Sequence, residues 1–178
     1  PVRNQNGDLE IVVDGIPIAR MPKGGYYFDV IHHPYENAQT KEDIDKLPLP
    51  AITDEELEFL RTEAKRKYEE TEYAILGSFG GNIFEQGQLD WGYERYYSEL
   101  VLNPDLMHYY HERLANAHLE ALKKYLDAVG EYIDVIQFGD DLGTQNNSQI
   151  SVEMYREMIK PYHKMLYQYV RKNYPNVK

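Results

Sequence analysis

Two carboxylates stand side by side at Asp140 and Asp141, after the apolar run Tyr132-Ile-Asp-Val-Ile-Gln-Phe138 and a glycine. Carboxylates at the end of a strand can orient a substrate hydroxyl, hold a cationic centre or support a metal ligand. Adjacent residues at a strand end turn in different directions, so this pair is not expected to share a proton. One is expected at the mouth of the sheet, Asp141 ahead of Asp140. The other is expected to bond the amides of its own turn, as Asp residues do. Gln145 ends the polar run Gly139-Asp-Asp-Leu-Gly-Thr-Gln145 and is a candidate donor to a substrate. A second loop follows the apolar run Tyr73-Ala-Ile-Leu-Gly-Ser-Phe79. There Gly80 and Gly81 allow the backbone to approach a ligand, with Phe79 before them and Glu85 and Gln86 close behind.

Other conspicuous residues have plainer explanations. His32 and His33 precede Pro34, which suits a rigid surface turn better than a metal pair. His108, His111 and His118 share a long helical stretch with no carboxylate at metalloprotease spacing, so a solvated helix face is expected. Trp91 is read as packing, and Lys65-Arg66-Lys67 as the wet side of a helix. Thirty acidic against nineteen basic residues give a net charge of -11, which repels nucleic acid and anionic membrane. With no cysteine among 178 residues, neither a disulfide nor a thiolate metal ligand is available. No apolar stretch approaches the ~18 residues of a membrane span, and no secretory leader is visible. The expected location is cytoplasmic.

The elements that position these residues follow from periodicity. Leu9–Asp14 and Ile16–Arg20 read as hairpin arms around Gly15, with Pro17 marking an edge. Tyr26–Val30 reads as a further short strand. Asp43 to Pro50 reads as a helical turn and an extended strap. Thr53 and Glu56 have capping-box spacing for a helix to about Glu70, with Leu57, Leu60, Ala64 and Tyr68 forming its apolar face. A short helix is expected from Tyr93 to Val101. Asn103-Pro104-Asp105 opens the longest helix, its stripe running through Leu106, Tyr110, Leu114, Ala117, Ala121 and Tyr125. Ser151 caps another helix, carrying Tyr155, Met158 and Ile159, which Pro161 is expected to break before a second with Tyr162, Leu166, Tyr169 and Val170 inward. Strand, helices, strand, helices implies parallel strands with helical crossovers. One domain is expected over 1–178, with 1–31 as a β-rich lead-in.

From His33-Pro34 onward the chain resembles the uroporphyrinogen decarboxylase-like superfamily, which includes the decarboxylase and the cobalamin-dependent methyltransferases. The resemblance rests on Asp43-Ile-Asp45 with Pro48 and Pro50, on Asn103-Pro104-Asp105, on Gly139 to Gln145, and on Ile150-Ser151, Met154-Tyr155 and Ile159-Lys160-Pro161 in that order. It implies a (β/α)8 TIM barrel, with its active site at the C-terminal ends of the strands. Phe79, Gly80, Gly81, Glu85 and Gln145 would then bind substrate, with Asp140 and Asp141 as the catalytic carboxylates. Two strands are too few for eight, and Val177-Lys178 stands where a new strand could begin, so roughly half a barrel is expected. The Asp-Asp-Leu-Gly-Thr-Gln loop resembles the methyltransferase and O-demethylase members. That implies cobalamin on a partner corrinoid protein, a small-molecule substrate, and zinc held by residues outside this chain, with no metal ligand within it. By itself the stretch is then expected to be inactive. The alternatives are uroporphyrinogen decarboxylation, which needs no cofactor, and a non-catalytic half-barrel that serves as an interaction module.

Overall fold

β-branched runs around the tight turn at Asp14-Gly15 build an antiparallel meander at the start of the chain. In the computed structural model, which describes residues 1–178, β1 (Val2–Arg3), β2 (Leu9–Val13), β3 (Ile16–Met21) and β4 (Asp29–Val30) lie in that order. Asp14 and Gly15 turn β2 into β3, both at positive φ, the tight geometry that suits twisted strands. Glu10 pairs with Arg20 at 2.9 Å, while Leu9 lies opposite Met21 and Ile11 opposite Ala19. Pro17 does not mark an edge, because β3 is an inner strand. The proline is tolerated because β4 pairs only with Ala19 and Arg20, and the register of β2 shifts between Ile11 and Val12 beside it.

A strap then wraps the helical body. Thr40 and Asp43 form a capping box at the start of α1 (Lys41–Asp45). Two arginines fasten the segment: Arg95 donates to the carbonyls of Glu36 and Ala38, and Arg113 to those of Asp45 and Leu47 at 3.0 Å. The capping box at Thr53 and Glu56 opens α2 (Asp54–Glu70) as the spacing predicts.

Two parallel strands form the second sheet. β5 (Leu76–Gly80) pairs with β6 (Val135–Phe138), from Leu76↔Val135 to Gly80↔Phe138. Between them run α3 (Phe84–Trp91), α4 (Tyr93–Leu102) and the 26-residue α5 (Pro104–Val129). After β6 come α6 (Val152–Met154), a π-helical turn at Tyr155–Ile159 and α7 (Lys160–Asn173). Helices cover one face of this sheet: Phe79, Ile136 and Phe138 pack on the cluster of Leu122, Tyr125, Leu126, Leu166 and Val170. The other face is open, with Leu76 57% and Val135 37% exposed. Lys178 flanks the free edge of β6, its amide donating to the Asp134 carbonyl and its carbonyl accepting from Ile136, both at 2.9 Å. The alternation of parallel strands and helices agrees with the sequence, and residues 1–178 close no barrel.

Several local expectations change. Residues after Gly81, read as loop, fold into α3. Pro161 does not break the helix, because the π-turn before it absorbs the missing amide and leads directly into α7. Asn103 precedes α5 without a side-chain cap, its amide turned to Glu99 at 2.5 Å instead. His111 and His118 are buried rather than solvated, because each finds a polar partner inside. His111 Nε2 lies 2.7 Å from the Tyr96 hydroxyl, and His118 Nε2 lies 3.1 Å from the Asn82 carbonyl. Trp91 is core, stacked on Tyr35.

Candidate active site

The ends of β5 and β6 meet where Gly139 donates to the Gly80 carbonyl at 2.7 Å. Gly80 and Gly81 both have positive φ, which turns the chain abruptly from β5 towards α3. Helix α3 has no cap from its own sequence. Its first amides are capped from 55–57 residues away: Asp140 Oδ2 accepts from Ile83 at 2.8 Å and Phe84 at 3.0 Å, and Oδ1 from Glu85 at 2.9 Å. A carboxylate here satisfies orphan donors and meets the positive end of the helix dipole.

Asp140 has a fourth partner. His163 Nε2, on α7, lies 2.6 Å from Oδ2, and the His163 and Asp140 side chains are 5% and 1% exposed. Burial alone would raise the Asp140 carboxyl, but hydrogen bonds from His163 and the Phe84, Glu85 and Ile83 amides outweigh it and hold it below the ordinary range. The ionised carboxylate only accepts, so His163 Nε2 carries a proton, and in the neutral ring Nδ1 is then the acceptor. The Tyr155 hydroxyl lies 3.3 Å from that Nδ1. Tyr167 stacks on the His163 ring, and Phe138 and Phe79 continue the aromatic row.

The two aspartates therefore part company, as adjacent residues at a strand end should, but the bond to their own turn is made by Asp141, the one expected at the mouth, while Asp140 caps α3 instead. Asp140 turns inward and is enclosed, at φ 101°. Asp141 is exposed, and its Oδ1 accepts from the Gly143 amide at 2.9 Å. Gln145 is exposed on the same loop. The loop's anchor is Gln149: its amide donates to the carbonyls of Asp141 and Gly143, and its Oε1 accepts from Gln88 at 2.8 Å and Tyr97 at 2.6 Å. Glu85 is half-buried and accepts from Asn82 at 2.5 Å. Phe79 turns towards Tyr125 and His118 of α5, on the helix-covered side of the sheet. Gly80, Gly81, Glu85 and Asp140 are thus gathered in one place, with Asp141 and Gln145 on the adjoining loop.

Sequence reasoning missed His163, Tyr155, Gln149 and Asn82. His163 follows Pro161-Tyr162 on an amphipathic helix and looks like any interior position. Only the fold pairs it with a residue 23 positions earlier. Asn82 had a signal in the glycine at 139, where a Cβ would overlap the Asn82 amide. No group of three or more His, Asp or Glu side chains converges to hold a metal ion, so these residues provide no donor set for zinc.

Comparison with curated proteins and with solved structures gives no significant match. A family model, described as uroporphyrinogen decarboxylase (URO-D), matches residues 28–178 and leaves the first three strands outside. That span holds every residue gathered at the strand ends, and it makes this chain a member of the uroporphyrinogen decarboxylase family.

Proposed function

We propose that these strand ends form one wall of the substrate mouth of a methyltransferase in this family, taking a small neutral or cationic methylated compound and transferring its methyl group to or from a corrinoid carrier. One observation carries this choice. The two loops at the strand ends, 79–91 and 138–151, contain Glu85, Asp90, Asp140 and Asp141 and not a single lysine or arginine. A decarboxylase acting on a tetrapyrrole with many carboxylates needs cationic clamps, and carboxylates in this position oppose such a ligand.

Within that reading the roles divide by exposure. Asp140 holds the N-terminus of α3 and sets the mouth's shape. Asp141, Glu85 and Gln145 reach solvent and contact substrate, while Gly80 and Gly81 let it approach the backbone. The corrinoid supplies the methyl-carrying cobalt from a partner protein. Zinc does not fit the residues present, and no step is assigned to it. The test is a paired turnover assay, with uroporphyrinogen in one arm and methylcobalamin, zinc and a thiol acceptor in the other. Methyl transfer without tetrapyrrole turnover is expected, and decarboxylation of uroporphyrinogen would overturn the assignment.

A further inference from the structure

Asp140, His163 and Tyr155 form a chain of side chains that the mouth's architecture does not require in full. Capping α3 needs only the carboxylate. Yet a buried imidazole lies 2.6 Å from it, and a half-buried phenol lies 3.3 Å from the far nitrogen of that imidazole. The order is carboxylate, imidazole, hydroxyl, the arrangement by which an orienting acid and a base activate a hydroxyl group.

The helix has been altered locally so that the last two members can meet. Tyr155 and His163 are eight residues apart, and eight residues of regular α-helix would leave them about 80° apart around the axis. The π-turn at Tyr155–Ile159 takes up one extra residue, which brings the pair to within about 20° of one face. Pro161, which cannot donate its amide, lies just beyond that turn. Tyr167 stacked on His163 fixes the plane of the ring.

We propose that Tyr155 is the proton-transferring group of the mouth, with His163 as its base and Asp140 as the positioning residue that fixes the tautomer. This rests on the mouth being the site proposed above, and it adds the substrate class: a protic small molecule, a thiol or hydroxyl compound written X–H. The substrate proton passes to the Tyr155 oxygen as the phenol proton passes to His163 Nδ1. The products are X⁻ and an imidazolium whose Nε2–H remains on the Asp140 carboxylate. Two O–H or S–H bonds break, one O–H and one N–H bond form, and no electrons change hands. The reverse sequence returns the proton to a departing X⁻.

Two measurements on the whole protein test this. With 15N-labelled histidine rings, NMR is expected to show neutral His163 protonated at Nε2 and bare at Nδ1, and Tyr155→Phe should shift the Nδ1 resonance alone. A neutral His163 protonated at Nδ1, or an Nδ1 indifferent to Tyr155→Phe, would overturn the relay. In the turnover assay, Tyr155→Phe is expected to lower kcat about 100-fold or more, leave KM little changed and flatten the acid limb of the kcat profile. His163→Gln should do the same. If wild-type protein transfers methyl groups and Tyr155→Phe matches it, the relay is wrong and the mouth assignment survives. If wild-type protein transfers none, the functional assignment fails, and the relay is judged by NMR alone.

Discussion

At the residue scale, the structure assigns most weight to Asp140, and its weight is positional. Replacing it with alanine would leave three helix amides and a buried imidazole without their acceptor. Breaking a buried pair from one side costs about 3–5 kcal/mol, so Asp140→Ala should lower the unfolding free energy by that order in a denaturant titration. Asp140→Asn keeps an acceptor oxygen and suits the positive φ, and should recover much of the loss. A second expectation concerns pH. Burial, with His108 nearby, depresses His111 from 6.5 to about 3, and burial likewise lowers His118. A depressed histidine is neutral in the fold and protonates first in the unfolded chain, so its contribution is complete above pH 6.5 and is lost as pH falls from 6.5 towards 3. Melting temperature should drop across that window. His111→Phe should melt lower at pH 7, having lost the Tyr96 partner, and show a shallower decline in acid.

At the element scale, the segments that sequence patterns predict best are those whose signals are local. The capping box at Thr53 and the apolar stripe of α5 depend on residues three or four apart; the box is present, and Tyr110, Leu114 and Tyr125 of the stripe are buried. The helix α3 was not legible because it has no local start signal: its cap comes from Asp140 in the loop after β6, more than fifty residues on. The buried histidines were misjudged for the same reason, since their partners sit on other elements. Adjacent aspartates turning apart was legible, because that follows from strand geometry alone. Close packing of α3 on α4 supplies a further test. Gly87 lies under the Tyr96 ring, and a Cβ there would overlap the ring atoms. Gly87→Ala should destabilise by about 1–3 kcal/mol through overpacking, even though alanine favours an exposed helix by about 1 kcal/mol. A melting temperature at or above wild type would show that α3 and α4 can part.

At the scale of the whole molecule, the family match and the meander divide the chain. Residues 28–178 carry the family pattern, and the β-rich lead-in lies almost wholly outside it. The open face of the β5–β6 sheet, with Leu76, Ser78, Val135 and Gln137 exposed, is the face that a (β/α)8 barrel turns inward. Periodicity made the parallel strands and their helices legible, while partners across the sheet lie beyond what local patterns can specify. The central claim is that this acidic mouth, free of lysine and arginine, serves something other than a polycarboxylate. Equilibrium titration of the protein with uroporphyrinogen at physiological ionic strength tests it most directly. No saturable binding is predicted; saturable binding that weakens with added salt and is lost on altering the 79–91 loop would contradict the account.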